Sequence, residues 1–133
     1  MTAKLNNAGT QPAKPAVEST FGRNVSSWVE VSRRALVNNL RAIQSRVGRD
    51  VIVCPVIKSD AYGHGAAGCA LALSDAGAKW LAVSTVEEGV TLRQIGIQSR
   101  LLVLSGFWSG EEDQIIAHQL TPAVWEGEHL ALL

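Results

Sequence analysis

One short segment concentrates the residues of this chain that could do chemistry. Residues 58–65 read Lys-Ser-Asp-Ala-Tyr-Gly-His-Gly and follow the apolar run of residues 51–57. A lysine amine at the end of an apolar run loses part of its hydration, which favours the neutral form that acts as a nucleophile or a base. Such an amine can condense with an aldehyde. Alternatively, the aliphatic part of Lys58 lies along the fold and leaves the amine in solvent.

The other side chains of this segment have both a chemical and a structural interpretation. Gly63 and Gly65 allow a sharp turn into a following helix, whose free amides favour an anion. Tyr62, the only tyrosine in the chain, could donate its hydroxyl to a phosphate oxygen or could simply pack. His64 could act as an acid, as a ligand or as a donor that orders the loop. Asp60 could stabilise the turn.

Composition narrows the classes of function. The 133 residues include twelve Lys+Arg and twelve Asp+Glu, so charge gives no reason to expect nucleic acid or a membrane as a partner. No apolar run approaches the roughly 20 residues that span a bilayer, and an apolar signal region is missing at the amino terminus. Cys54 and Cys69 lack CxxC spacing and are expected to be buried, reduced thiols in the cytoplasm. His118 and His129 lack partners at metal spacing, so no metal site is predicted.

The elements that must position Lys58 begin upstream of it. Residues 27–31 alternate polar and apolar side chains, which predicts a short half-buried strand. A helix is predicted from the N-cap Ser32 to the stop signal Gly48, with apolar residues at helical spacing between them. Residues 51–57 predict a strand that is buried on both faces.

The second half of the chain repeats this alternation of strands and helices. Thr85 and Glu88, and again Ser109 and Glu112, have the spacing of a capping box at the start of a helix. The remaining predicted elements are a helix over 66–76, strands over 80–83, 101–104 and 121–125, and a helix that opens near 129–133.

This order predicts an α/β fold with parallel strands. The regular spacing of the strands is typical of a (β/α)₈ barrel or of a doubly wound sheet. A complete barrel takes about 250 residues, so in the barrel interpretation residues 25–133 are the first half of a TIM-type barrel. Residues 1–24 show no periodicity and are predicted to be a disordered tail. A small, complete doubly wound domain is the alternative.

The segment VIKSDAYGHG closely resembles the pyridoxal-phosphate lysine motif of the alanine racemase family, usually written V-V-K-A-(D/N)-A-Y-G-H-G. WVEVSRRALVNNLRAI resembles the opening strand and first helix of that family. AGAKWLAVSTVEEGVTLRQIGIQSRLLVLSG resembles the stretch that follows the lysine motif. The resemblance runs in collinear order over about residues 28–125. Ser59 departs from the common Ala of the motif.

The resemblance implies a cofactor, a reaction and three site residues. Lys58 would condense with the aldehyde of pyridoxal 5'-phosphate and act as one of two acid/base groups at the substrate α-carbon. Tyr62 would hydrogen-bond the cofactor phosphate, and Leu104 would pack near the pyridine ring. The enzyme implied is an amino-acid racemase, an isomerase that converts L-alanine to D-alanine for peptidoglycan precursors in the cytoplasm. A homodimer is expected for the full-length enzyme.

The resemblance also implies that the chain is an N-terminal fragment. In the family, the second base is a tyrosine from a C-terminal β domain, donated across a dimer interface, and this chain has no second tyrosine. The isolated fragment is therefore expected to be inactive. A broad-specificity or serine racemase of the same superfamily would share the lysine loop. A non-catalytic pyridoxal-phosphate-binding barrel protein, or a domain in which Lys58 is a surface residue, are the other interpretations.

Overall fold

The computed structural model describes residues 29–133, in which helices alternate with short strands. The predicted tail at residues 1–24 lies outside the described residues, and so do the first two residues of the strand predicted over 27–31. Residues 29–31 form no strand, because nothing in the described part of the chain pairs with them. The elements are α1 (Arg33–Val47), α2 (Lys58–Gly63), α3 (Ala66–Asp75), β1 (Trp80–Val83), α4 (Val86–Gln94), β2 (Arg100–Val103), α5 (Glu112–Ala117), β3 (Leu120–Pro122) and α6 (Gly127–Leu132).

The three strands form one parallel sheet in the order β1-β2-β3. Residues 51–57 continue this sheet past β1 through an isolated parallel bridge between Val56 and Ala82. Each strand therefore lies beside the one that precedes it in sequence, and all are added in the same direction. A doubly wound sheet reverses its direction at a switch point, whereas a barrel does not. The strand order confirms the prediction of a partial (β/α)₈ barrel over the described residues.

The sheet and its helices enclose an apolar core. Leu81 of β1 is in register with Leu101 of β2, and Leu101 is in register with Leu120 of β3. Leu81 and Leu101 are fully buried, because β1 and β2 have neighbours on both edges and α4 packs against both strands. The helices contribute, among others, Leu73 from α3, Leu92 from α4 and Ile115 from α5. Among the described helices, none combines the length and the apolar content needed to cross a membrane.

The prediction of a strand buried on both faces over residues 51–57 is wrong. Only Val56 takes part in a bridge, and Ile52 is 65% exposed. The segment lies at one edge of the sheet, so β1 covers one of its sides only. Its pairing runs through Ile57, whose N–H donates to the Ala82 carbonyl at 2.8 Å, and through the Pro55 carbonyl, which accepts from the Ala82 N–H at 2.8 Å.

Helix α1 begins and ends where its sequence predicts. The Ser32 hydroxyl accepts a hydrogen bond from the Ala35 N–H at 3.2 Å, and Gly48 follows the last helical residue with φ 88°. Positive φ is tolerated at glycine because no Cβ crowds the backbone. Leu40 is the buried residue of the helix, and α1 packs on α3.

We expect Ser32→Ala to lower the free energy of unfolding by about 1 kcal/mol, because the Ala35 amide loses its side-chain acceptor. Urea denaturation followed by circular dichroism measures the change. Ser45→Ala is the matched control, since Ser45 lies exposed within the same helix and is not a capping residue. Equal destabilisation by the two substitutions would argue against the cap.

The two predicted capping boxes have different outcomes. At α4 the box is complete, with Glu88 N–H donating to Thr85 Oγ1 at 3.3 Å and Thr85 N–H donating to the Glu88 carboxylate at 3.4 Å. The box predicted at Ser109 is wrong. Gly110 has φ 99°, which turns the chain out of a helical path, and Glu111 becomes the N-cap of α5 without a capping side chain.

The other predicted elements are present, most of them with shifted bounds. The helices predicted over 66–76 and from Val86 onwards are confirmed as α3 and α4, and β1 is confirmed as predicted. Strand β2 begins one residue earlier than predicted, and β3 is shorter than the predicted 121–125. Helix α6 begins at Gly127 rather than near 129.

Arg93 joins the amino ends of β2 and β3. Its guanidinium donates to the carbonyl oxygens of Ile97 at 2.6 Å and Ser99 at 2.8 Å, just before β2. It also donates to His118 at 2.9 Å and Gln119 at 3.2 Å, just before β3. Burial lowers the pKa of Arg93 from its ordinary value, because desolvation disfavours the cation. One side chain of α4 thus satisfies carbonyl groups in two loops.

Candidate functional site

Lys58 directly follows the edge segment, residues 51–57, which lies beside β1 at one side of the sheet. Ile57, the preceding residue, is hydrogen-bonded to Ala82 of β1, and Lys58 begins α2 with a half-buried side chain. The carboxyl ends of parallel strands form the face that carries active sites in barrels and in open α/β sheets. The structure therefore places Lys58 at the end of the apolar run of residues 51–57, as the sequence predicted, and at the carboxyl edge of the sheet.

The residues after Lys58 form a left-handed turn. Ser59, Asp60, Ala61 and Tyr62 have φ of 52° to 54° and ψ of 38° to 53°. For residues other than glycine, this conformation costs about 1–2 kcal/mol per residue. The sequence predicted positive φ only at the glycines of this segment. A run of four unfavourable residues beside a candidate nucleophile is the kind of strain that clusters at functional sites.

Hydrogen bonds within the segment hold this turn. Asp60 Oδ1 accepts the Ala66 N–H at 2.6 Å, which ties the turn to the first residue of α3. His64 Nδ1 lies 2.9 Å from the Ala61 carbonyl oxygen, so this ring nitrogen carries the proton and donates. Gly65 N–H donates to the Asp60 carbonyl at 2.9 Å. Asp60 thus stabilises the turn, and of the three roles open to His64 the geometry supports the ordering of the loop.

Glu88 connects the Lys58 turn to β1, and the sequence did not predict this contact. Its Oε1 accepts the Ser59 N–H at 2.6 Å, and its Oε2 accepts the Ser84 N–H at 2.7 Å. The capping-box spacing identified Glu88 only as a helix cap. The contact with Ser59 joins residues 29 apart in sequence, and no local pattern signals it.

The ends of β1 and β2 form the neighbouring part of the same edge. Leu104 follows β2, is partly buried and donates its N–H to the Val83 carbonyl at 2.9 Å. The hydroxyl oxygens of Ser84 and Ser105 lie 2.9 Å apart, one at the end of each strand. This edge therefore offers an apolar side chain and two hydroxyl groups beside the turn that carries Lys58.

The structure brings the three predicted site residues to one edge of the sheet. Lys58 and Tyr62 belong to the same turn, and Tyr62 is 60% exposed. Lys58 follows the segment of residues 51–57 and Leu104 follows β2, and β1 lies between these two elements in the sheet. An amine, a phenol hydroxyl and an apolar side chain on one edge can bind an aldehyde, an anion and a ring, respectively.

Neither cysteine is one of the predicted site residues, although Cys69 contacts the Lys58 turn, with its Sγ donating to the His64 carbonyl oxygen at 3.8 Å. Cys54 and Cys69 are both free thiols; Cys69 is buried and Cys54 is partly buried. Burial raises the pKa of both thiols, and Asp60 adds a smaller upward shift at Cys69. Over residues 29–133, His, Cys, Asp and Glu side chains form no group of three that could hold a metal ion.

Comparison with known proteins gives consistent matches. The family model "Alanine racemase, N-terminal domain" matches residues 31–133. An alanine racemase of Synechocystis sp. is 43% identical over 107 residues, which is 80% of this chain and 29% of that protein. The structure of an alanine racemase of Clostridium difficile superposes with a TM-score of 0.70 at 35% identity, covering 73% of this chain and 26% of that one.

A structure with a bound cofactor is also similar. The alanine racemase of Bartonella henselae, solved with covalently bound pyridoxal phosphate, has a TM-score of 0.68 and 27% identity over 76% of this chain and 28% of that chain. The chain thus spans less than a third of the length of each of these relatives.

Proposed function

Because this chain belongs to the alanine racemase family, we propose that it contributes the cofactor-binding lysine of an enzyme that interconverts L- and D-alanine. The observation that carries this proposal is the position of Lys58. It is half-buried at the carboxyl edge of a parallel sheet and begins a strained turn that carries Tyr62. The 43% identity with the Synechocystis enzyme, over most of this chain, supports the assignment of the reaction.

The donor set at this edge fits pyridoxal 5'-phosphate. The Lys58 amine suits its aldehyde, the hydroxyl of the exposed Tyr62 residue suits its phosphate, and the partly buried Leu104 suits one face of its ring. When bound, this cofactor supplies an electron sink for the negative charge that develops on a substrate α-carbon. The protein supplies orientation and proton transfer.

In the proposed reaction, Lys58 Nζ removes the α-proton of alanine from one face and can return a proton to that same face. Inversion requires a second acid/base group on the opposite face. The chain has a single tyrosine, Tyr62, and the proposal uses it for phosphate. The polypeptide of 133 residues is therefore proposed to exchange the α-proton without efficient racemisation.

This proposal is tested by incubating the 133-residue chain with pyridoxal phosphate and L-alanine in D₂O. We expect deuterium to enter the α-position, measured by mass spectrometry, while chiral chromatography detects little D-alanine. Reactions without protein and without cofactor give the background. Exchange at the background rate would contradict the role of Lys58, and rapid formation of D-alanine would contradict the assignment of a single base to this chain.

Tyr62→Phe removes only the hydroxyl that is proposed to donate to the phosphate. A hydrogen bond to a charged group contributes about 1.5–3 kcal/mol, so we expect the dissociation constant of pyridoxal phosphate to rise by about 10- to 100-fold. Fluorescence titration with cofactor measures it. Pyridoxal without phosphate is the control ligand, and its affinity should be the same for both proteins. An unchanged affinity for pyridoxal phosphate would exclude this contact.

We further propose alanine as substrate, a homodimeric assembly for the full enzyme and a place in the cytoplasm, where D-alanine serves peptidoglycan precursors. The second candidate is a broad-specificity or serine racemase, because the residues of the proposed site act on the cofactor and on the substrate α-carbon, and none is assigned to the substrate side chain. Deuterium exchange into L-serine as fast as into L-alanine would favour that second candidate.

A further inference from the structure

One carboxylate joins two parts of the candidate site. Glu88 accepts the Ser84 N–H at 2.7 Å, at the end of β1, and the Ser59 N–H at 2.6 Å, at the start of the left-handed turn. Ser59 directly follows Lys58. The N–H that Glu88 holds therefore belongs to the peptide group between Lys58 and Ser59.

The backbone at Glu88 is itself firmly placed. Thr85 Oγ1 accepts the Glu88 N–H at 3.3 Å, which closes the capping box of α4. Gly89 is buried, and a Cβ built on it would lie 3.0 Å from the methyl carbons of Leu120. Helix α4 thus packs closely on β3, so the Glu88 side chain extends from a point that has little freedom to move.

Both peptide groups that flank the Lys58 Cα atom are held by hydrogen bonds. The Ile57 carbonyl, before Lys58, accepts the Ala61 N–H at 2.9 Å. The Ser59 N–H, after Lys58, donates to Glu88. When both peptide planes are held, the Cα–Cβ bond of Lys58 has one direction. Because Ser59 has φ 52°, the peptide would relax from this orientation without an acceptor on its N–H.

We propose that Glu88 is a positioning residue that directs the Lys58 amine toward the cofactor aldehyde. The inference rests on the proposed function of Lys58, but the contact on which it depends can be measured without cofactor. Glu88 acts through the backbone and touches no reacting atom. Because Glu88 orders Lys58 before the cofactor binds, less conformational entropy is lost when the amine takes up a reactive geometry.

Four substitutions separate positioning from helix capping. Glu88→Gln keeps the length of the side chain, but its NH₂ group cannot accept an N–H. One neutral oxygen is then left for the Ser59, Ser84 and Thr85 N–H groups, so the charge-assisted bond to Ser59 is lost. Glu87→Gln removes the same charge from the same turn of α4 at an exposed position. Thr85→Ala weakens the cap of α4 and leaves the Glu88 carboxylate in place. Glu88→Asp keeps the charge at the helix start with a shorter reach and serves if Glu88→Gln does not fold.

The first measurement is amide hydrogen exchange at Ser59 in the full 133-residue chain without cofactor. We expect the Ser59 amide to be protected in the original protein. Glu88→Gln and Glu88→Asp should accelerate its exchange by about 10- to 100-fold, the loss of one charge-assisted hydrogen bond. Glu87→Gln and Thr85→Ala should leave it unchanged, although Thr85→Ala lowers the melting temperature. An unprotected Ser59 amide in the original protein would overturn the proposal.

The second measurement is the rate at which pyridoxal phosphate labels Lys58. The amine nitrogen bonds to the aldehyde carbon, the aldehyde oxygen leaves as water, and borohydride then adds hydride to the carbon–nitrogen double bond. Peptide mapping of the stable label gives the rate at Lys58, with the exposed Lys79 as internal reference. We expect Glu88→Gln to lower the ratio of Lys58 to Lys79 labelling by about tenfold or more.

The outcomes separate the two proposals. If the original protein is not labelled at Lys58, the proposed function fails, whatever the exchange at Ser59 shows. If Lys58 is labelled and Glu88→Gln leaves its rate unchanged, the proposed function survives and positioning by Glu88 fails. If Thr85→Ala lowers the Lys58 rate as much as Glu88→Gln does, the effect belongs to the helix cap, and positioning fails in this case too.

Discussion

Lys58→Ala is expected to abolish the borohydride-stable pyridoxal label on residues 58–65, while the protein stays folded. The reason is chemical. Alanine has no amine to bond to the aldehyde carbon, and no other side chain of this turn carries a primary amine. General acid–base catalysis accelerates a reaction by about 10²- to 10⁴-fold, so the rate of deuterium exchange into alanine should fall by at least about 10²-fold. Peptide mapping and mass spectrometry measure the two effects.

Lys79→Ala is the matched control for Lys58→Ala. Lys79 is an exposed lysine that precedes β1, at the opposite end of that strand from the candidate site. Its loss should leave both the Lys58 label and the deuterium exchange unchanged. A label that persists in Lys58→Ala and disappears in Lys79→Ala would move the site to the other end of the strand.

Leu101→Ala is expected to have the largest effect on stability. Leu101 is 0% exposed and pairs in register with Leu81 on one side and Leu120 on the other. Truncation at such a position leaves a cavity between three strands, and comparable changes cost about 2–5 kcal/mol. Folded domains have total stabilities of about 5–15 kcal/mol. The variant should therefore unfold at a clearly lower urea concentration, measured by tryptophan fluorescence.

Leu130→Ala tests whether this loss depends on burial. Leu130 is 68% exposed on α6, so the same change in composition should alter stability by no more than about 0.5 kcal/mol. If both substitutions lower the urea midpoint equally, the central position of β2 in the core is not supported.

Local patterns predicted much of the fold correctly. Ser32 and Gly48 mark the two ends of α1, because a cap and a stop signal act on neighbouring residues. Thr85 and Glu88 mark the start of α4 in the same way. Strands of the sheet interior were also found, since a strand with two neighbours carries a continuous apolar run. The edge segment 51–57 has an equally apolar sequence, but burial depends on what lies beside a strand, and this segment has β1 on one side only.

The candidate site was predicted in part. The motif identified Lys58 and its turn, and the position at the carboxyl edge follows from the order of the elements. The left-handed conformation of Ser59 and Tyr62 was not predictable, because neither residue type favours it and one of the hydrogen bonds that hold the turn comes from Glu88, 29 residues away from Ser59. The contact between Glu88 and Ser59 likewise depends on the packing of α4, which no residue spacing encodes.

Arg93 stabilises the fold at a place that is remote from the candidate site. Its four carbonyl contacts lie at the amino ends of β2 and β3, whereas Lys58 lies where the strands end. Selection for heat resistance can therefore act on the loops around Arg93 without altering the geometry of the lysine turn. To raise the melting temperature, protein engineers should first randomise the loops that precede β2 and β3 and leave the lysine turn unchanged.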